Sequence, residues 1–214
     1  MMRRAGLATL LCAASILSGC ASGPEVLSTV NARQQPTKVR SLLIVVDSSL
    51  FGDSWNAGAG RHFAHTLGDT LRETAGSIPV TLLRLDSEAD SRALPKIIMS
   101  SHATQLMQVK AVRVTSRSRG DTEAVWQVTL SDVKASLVPT EQDPSRFNTR
   151  VEMNTFYQQK ISASVSEHMD FLLGGIDKSA AETGNAIGAR LRAAHVMTPD
   201  PAVGAAPLVS SNPS

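Results

Sequence analysis

Ser54 stands in the stretch Phe51-Gly-Asp-Ser-Trp-Asn-Ala-Gly58, just downstream of the aliphatic run Leu42-Leu-Ile-Val-Val46. A serine delivered by a buried strand has the placement of a nucleophile. Acyl transfer also needs a base within hydrogen-bond reach, a group that orients the base, and donors for the oxyanion. Other spacings also suggest chemistry. His62 and His65 lie three apart, which suits zinc on a helix when a third ligand is near, but the sequence places none there. Asp86-x-Glu88-x-Asp90 opens like a calcium loop, yet Ser91 replaces the required glycine and Ile97 the closing glutamate. Gly58-Ala-Gly60, with Asp86 ending the next apolar segment, has part of a dinucleotide loop, but Phe63 holds the third glycine position. Lys110, Arg113, Arg117 and Arg119 gather round one turn and read as a solvated sheet face, with an anionic polymer or lipid headgroups as the other reading. Each constellation is incomplete, so the sequence assigns no catalytic residue, no metal site and no cofactor.

The elements that position these residues follow from periodicity. Residues 39–47 form a continuous aliphatic strand covered on both faces. Phe63, Leu67, Leu71 and Ala75 fall four apart on one face of a helix ended by Gly76-Ser77. Residues 79–86 are a second strand. Residues 87–102 are helical in part and opened by Pro95. Residues 103–116, 123–138 and 149–165 are three further strands; Ala124, Trp126, Val128 and Leu130 alternate onto one buried face. A last helix over 177–196 buries Ala180, Gly184, Ile187, Leu191 and Ala194. The order β-α-β-α-β-β-β-α predicts an α/β (α+β) sandwich of two or three layers. Its sheet is mixed, with parallel strands first and antiparallel hairpins after.

The N-terminus bounds the compartment. Arg3 and Arg4 precede an apolar segment, residues 5–17, too short to span a bilayer, as in a secretory signal. Leu17-Ser-Gly-Cys20 resembles the lipobox of bacterial lipoproteins. That resemblance implies that Cys20 takes a lipid and becomes the mature N-terminus carrying acyl chains, a stable anchor when more than one chain is attached. Ala21, with no aspartate at that place, implies outer-membrane sorting in a Gram-negative cell. The only other cysteine, Cys12, leaves with the signal, so disulfides, thiolate metal sites and cysteine nucleophiles are excluded from the mature chain. The 21 basic and 19 acidic residues become 19 against 19 once Arg3 and Arg4 are lost, which gives no electrostatic reason for nucleic-acid binding. The expected organisation is a signal at 1–19, a tether at 20–36, one periplasmic domain at 37–197 and a disordered tail at 198–214.

Two family resemblances bear on function. FGDSWNAG resembles the nucleophile block of the GDSL esterases and lipases. The likeness implies Ser54 as nucleophile, with a late Asp-x-x-His as base and partner and a Gly and an Asn as oxyanion donors. None of the eleven aspartates has a histidine three residues on. The late His168 and His195 sit in Ser-Glu-His-Met and Ala-Ala-His-Val, and Asp47-Ser-Ser-Leu50 separates strand from motif. The whole domain, residues 38–196, resembles a group of small periplasmic lipoproteins. The group includes the curli secretion subunit domain, the outer-membrane lipoprotein of Pel polysaccharide export and lipoprotein activators of penicillin-binding proteins. That resemblance implies a non-catalytic accessory lipoprotein, anchored to the membrane through Cys20, that binds envelope proteins or polymer; homo-oligomer formation is left open. Phe51, Asp53, Ser54 and Trp55 form its candidate interaction loop, with Phe51 and Trp55 either packed on the sheet edge or exposed as aromatic anchors. A serine esterase using Ser54 and a ring-forming secretion component are the alternatives.

Overall fold

The computed structural model describes residues 23–33, 38–52, 57–116, 121–141, 145–166 and 175–199. Its centre is the strand that the aliphatic run predicts. β3 (Leu42–Asp47) keeps residues 42–46 at most 1% exposed and is flanked in parallel by β4 (Val80–Leu85) and β5 (Gln105–Ser116). From β5 the sheet continues antiparallel through β6 (Asp121–Pro139) and β7 (Phe147–Ser166) to β1 (Glu25–Asn31), giving the order β1-β7-β6-β5-β3-β4. β2 (Lys38–Val39) and β8 (Thr198–Pro199) make a separate short parallel pair. The chain is therefore a mixed α+β sandwich with one open six-stranded sheet.

α1 (Ala57–Thr74) and α4 (Gly175–Ala193) cover one face of this sheet. The predicted stripe of α1, Phe63, Leu67, Leu71 and Ala75, is buried on it, as are Ala180, Gly184, Ile187 and Leu191 of α4. The two helices meet closely because α4 presents glycines to α1: a Cβ on Gly184 would lie 2.8 Å from the Thr70 side chain. On the other face, Pro95 opens the second helical stretch, as expected, splitting it into a single turn, α2 (Glu88–Ser91), and α3 (Leu94–Ser101). Ile98 of α3 packs with Leu43, Val45, Leu85 and Leu106. The sandwich has three layers where α3 lies. Farther along, the same face carries the partly or fully exposed Gln108, Lys110, Gln127, Thr129 and Lys160.

Three features depart from the sequence reading. Residues 25–31, expected within the tether, form edge strand β1, which pairs with β7 from Glu25↔Ser162 to Asn31↔Tyr157. All but Val26 are exposed in β1, so main-chain hydrogen bonding holds it and no alternating apolar pattern marks it. Thr198 and Pro199, expected in the tail, belong to β8. In β7, Leu130 lies opposite Tyr157 but Ser131 lies opposite Thr155, so Phe156 is an inserted residue. Side chains alternate with period two, so this one residue reverses the strand's faces. Tyr157, Ile161 and Ala163 join the core under α1 and α4, whereas the odd-numbered Val151 packs on the α3 side.

Trp126, fully buried, couples the sheet to the segments after β3. The Phe63 ring stacks on it at 5.4 Å between centroids, and the Phe51 ring lies tilted at 5.8 Å. Phe51 in turn fills the space above Gly60, where a Cβ would come within 2.2 Å of its ring. Gly60→Ala should therefore destabilise the fold by about 1–3 kcal/mol through overpacking, read as a lower urea midpoint with an unchanged slope. Gly58→Ala, whose Cβ would meet nothing within 4 Å, should leave the midpoint nearly unchanged.

Candidate functional site

In an open α/β sheet, ligands gather outside the carboxyl ends of parallel strands, where successive crossovers leave in opposite directions. Here that place is the end of β3, between β4 on one side and β5 on the other. Asp47 ends β3. Its Oδ1 accepts hydrogen bonds from the Ser49 backbone N–H at 3.0 Å and the Ser49 hydroxyl at 2.6 Å, fixing the 3-10 turn Ser49–Phe51. Its Oδ2 lies 3.5 Å from Lys110 Nζ, one strand over. Ser48, 2% exposed, donates its hydroxyl to Asp86 Oδ1 at 2.8 Å, and the other oxygen of Asp86 lies 3.5 Å from His65 Nε2 on α1.

Serine, aspartate and histidine thus meet, but in an order that does no acyl-transfer chemistry. A histidine must stand between serine and carboxylate to take the hydroxyl proton. Here Asp86 stands between Ser48 and His65, and Ser48 is out of reach of solvent. The arrangement ties the end of β3 to the end of β4 and faces the middle of α1.

The predicted histidine pair is also divided. His62 Nε2 lies 2.9 Å from Asp177 Oδ1 in the first turn of α4, and Thr66 Oγ1 donates to the same oxygen at 2.7 Å. His65 faces Asp86. Two histidines one turn apart on α1 therefore serve two carboxylates on different elements. Among the described residues no three His, Cys, Asp or Glu side chains gather as metal ligands. The glycine reading of residues 58–60 also resolves structurally, since the Phe51 ring occupies the gap over Gly60.

Of the candidate interaction loop, Phe51 is described and is a core side chain, 2% exposed against Trp126. Of the two placements open to it, the inward one holds, and its ring is unavailable as an anchor. Asp53, Ser54 and Trp55 lie outside the described residues, as do Cys20, Arg117 and Arg119.

Exposed apolar side chains collect elsewhere. β6 and β7 outrun the rest of the sheet: β5 starts at Gln105, opposite Asp132, and seven further pairs, Val133↔Met153 to Pro139↔Phe147, form a two-stranded ribbon. On its α3 side Val133, Ala135 and Val151 pack against the second core, while Leu137, Phe147 and Met153 are 56–57% exposed. Its other side carries Lys134, Ser136, Arg150 and Glu152. An open groove of about 960 Å3 runs at the tip beside Val138, Phe147 and Arg150. The sequence reading located these strands but not this surface. The readable signal was that their alternation continues for residues beyond the length of β5.

Tyr157, the single tyrosine, is buried beneath α4 and donates its hydroxyl to Gln159 Oε1 at 2.9 Å. Burial pushes this phenol above its ordinary value of 10.0, opposed in part by the Arg190 charge and a hydrogen bond with Thr29.

No family model matches the chain, and no curated protein matches it. Among solved structures it is similar to a dodecamer of PelC from Paraburkholderia phytofirmans and to a dodecamer of a point variant of that protein. Identity is 12% in both, over 82% of this chain and 99% of the other, with TM-scores of 0.43 and 0.44.

A phenol raised in the fold contributes stability that is complete below the unfolded value and is lost as pH rises through the folded one. The absorbance titration of Tyr157 should therefore fall above pH 10 in the native protein and return to the ordinary range in urea. The unfolding midpoint should drop across that same alkaline interval.

Proposed function

We propose that this chain is a non-catalytic lipoprotein, held by acylated Cys20 at the periplasmic face of the outer membrane. There it binds partners of an envelope export, transport or cell-wall system. One observation carries the reading: at the carboxyl ends of the parallel strands Ser48 donates to Asp86, and His65 stands beyond that carboxylate, 3.5 Å from its other oxygen, so the imidazole is not placed to take the serine proton. Two others support it. The order of basic, apolar and small residues before Cys20 is that of a lipoprotein signal. No helix among the described residues is long and apolar enough to cross a membrane.

Labelling cells with a palmitate analogue tests the anchor. The wild-type chain should carry label and fractionate with outer membranes, and Cys20→Ser should lose both. Wild-type chain that stays unlabelled overturns the anchored reading. The catalytic alternative is settled by incubating the purified protein with short-chain aryl esters beside Ser54→Ala. The expected rates equal the buffer background in both proteins; turnover that disappears with Ser54→Ala would make the chain an esterase.

A further inference from the structure

The ribbon formed by β6 and β7 has an unpaired edge. β1 accompanies β7 only from Ser162 to Tyr157, with a last backbone bond from Ala32 N–H to Phe156 O. Arg33 crosses β7 to pair with Asp132 and lies over the Phe156 ring, 3.8 Å from its centroid. Among the described residues no strand accompanies Phe147–Thr155 on that side. Two-stranded ribbons are marginal in water, and long open edges with exposed apolar neighbours recruit another strand.

The sequence of this edge specifies the strand it takes. Placed antiparallel to itself about a twofold axis through Val151, it sets Arg150 opposite Glu152 of the second copy and Glu152 opposite Arg150. Asn148 then meets Asn154, and Thr149 meets Met153. Both charge pairs fall on the polar face, and Val151 with Met153 on the apolar face, as period-two alternation requires. Slipping the register by two residues moves the axis to Arg150 or Glu152, which sets that residue against its own copy and loses both ion pairs. The edge runs from Phe147 to Thr155, so a second copy supplies a strand that begins where β1 ends.

From this self-complementarity we infer that the β7 edge is a homodimer interface: two chains pair Phe147–Thr155 antiparallel, making a four-stranded β6-β7-β7-β6 layer across a twofold axis. Such an interface is isologous and closed. Its strand bonds and apolar face supply the affinity. The exposed ion pairs select register and partner and add little affinity of their own. The inference does not depend on the acylation of Cys20, so either can fail alone.

Sedimentation of the full chain in density-matched detergent tests it. The wild type should sediment as a dimer. Arg150→Glu and Glu152→Arg, each placing like charges opposite one another twice, should weaken the dimer by about tenfold or more, and the double reversal should restore it. Arg150 and Glu152 are 66% and 60% exposed and make only a 3.5 Å surface pair within the chain, so each variant should keep the wild-type circular dichroism and melting curve. A wild type that stays monomeric up to about 100 µM overturns the inference. So does an assembly indifferent to all three variants, or one that forms only with a different co-purifying protein.

Discussion

The packing of Trp126 between Phe51 and Phe63 is the constraint from which the arrangement around β3 follows. The indole rises from the middle of the sheet, one ring arrives from the turn after β3, and the other from the second turn of α1. Both can reach it only because Gly60 leaves room for Phe51. On the helix that Phe63 holds against the sheet, His65 lies beside Asp86 and His62 beside Asp177.

The parts of the fold that bury a regular apolar pattern were legible in the sequence. The unbroken run Leu42–Val46, the four-residue spacing from Phe63 to Ala75 and the alternation from Ala124 to Leu130 each report a face pressed on a core. β1 was not legible because its residues bury almost no side chain; a strand held by main-chain bonds to β7 leaves no periodic trace. The ties of the candidate site were hidden for another reason. Ser48 and Asp86 are 38 residues apart, and only the parallel pairing of β3 with β4 brings their ends together. The spacing of His62 and His65 was read correctly as one helical face, but the carboxylates that claim them come from β4 and α4, whose positions a helix pattern does not contain.

The architecture separates its two ends. β1 begins opposite Ser162, and the β6–β7 ribbon ends at Phe147. At a rise of about 3.3 Å per residue these lie roughly 50 Å apart. An anchor at Cys20, five residues before β1, would hold the first end near the bilayer and leave the ribbon reaching into the space beyond. The exposed apolar side chains would then face soluble neighbours, which suits a contact between proteins.

Phe156 lets one strand serve two cores. Toward Ser166 the odd-numbered residues face the paired helices, and toward Phe147 they face α3. Such a strand behaves like text in which a single letter shifts the frame. Losing or gaining one residue between Val151 and Phe156 would leave the upper sheet intact while turning Val151 to solvent and Arg150 or Glu152 into the space beneath α3. Changes of two residues would keep every side chain on its own side. With the bulge kept, only even changes of length between Val151 and Phe156 preserve both faces of the ribbon.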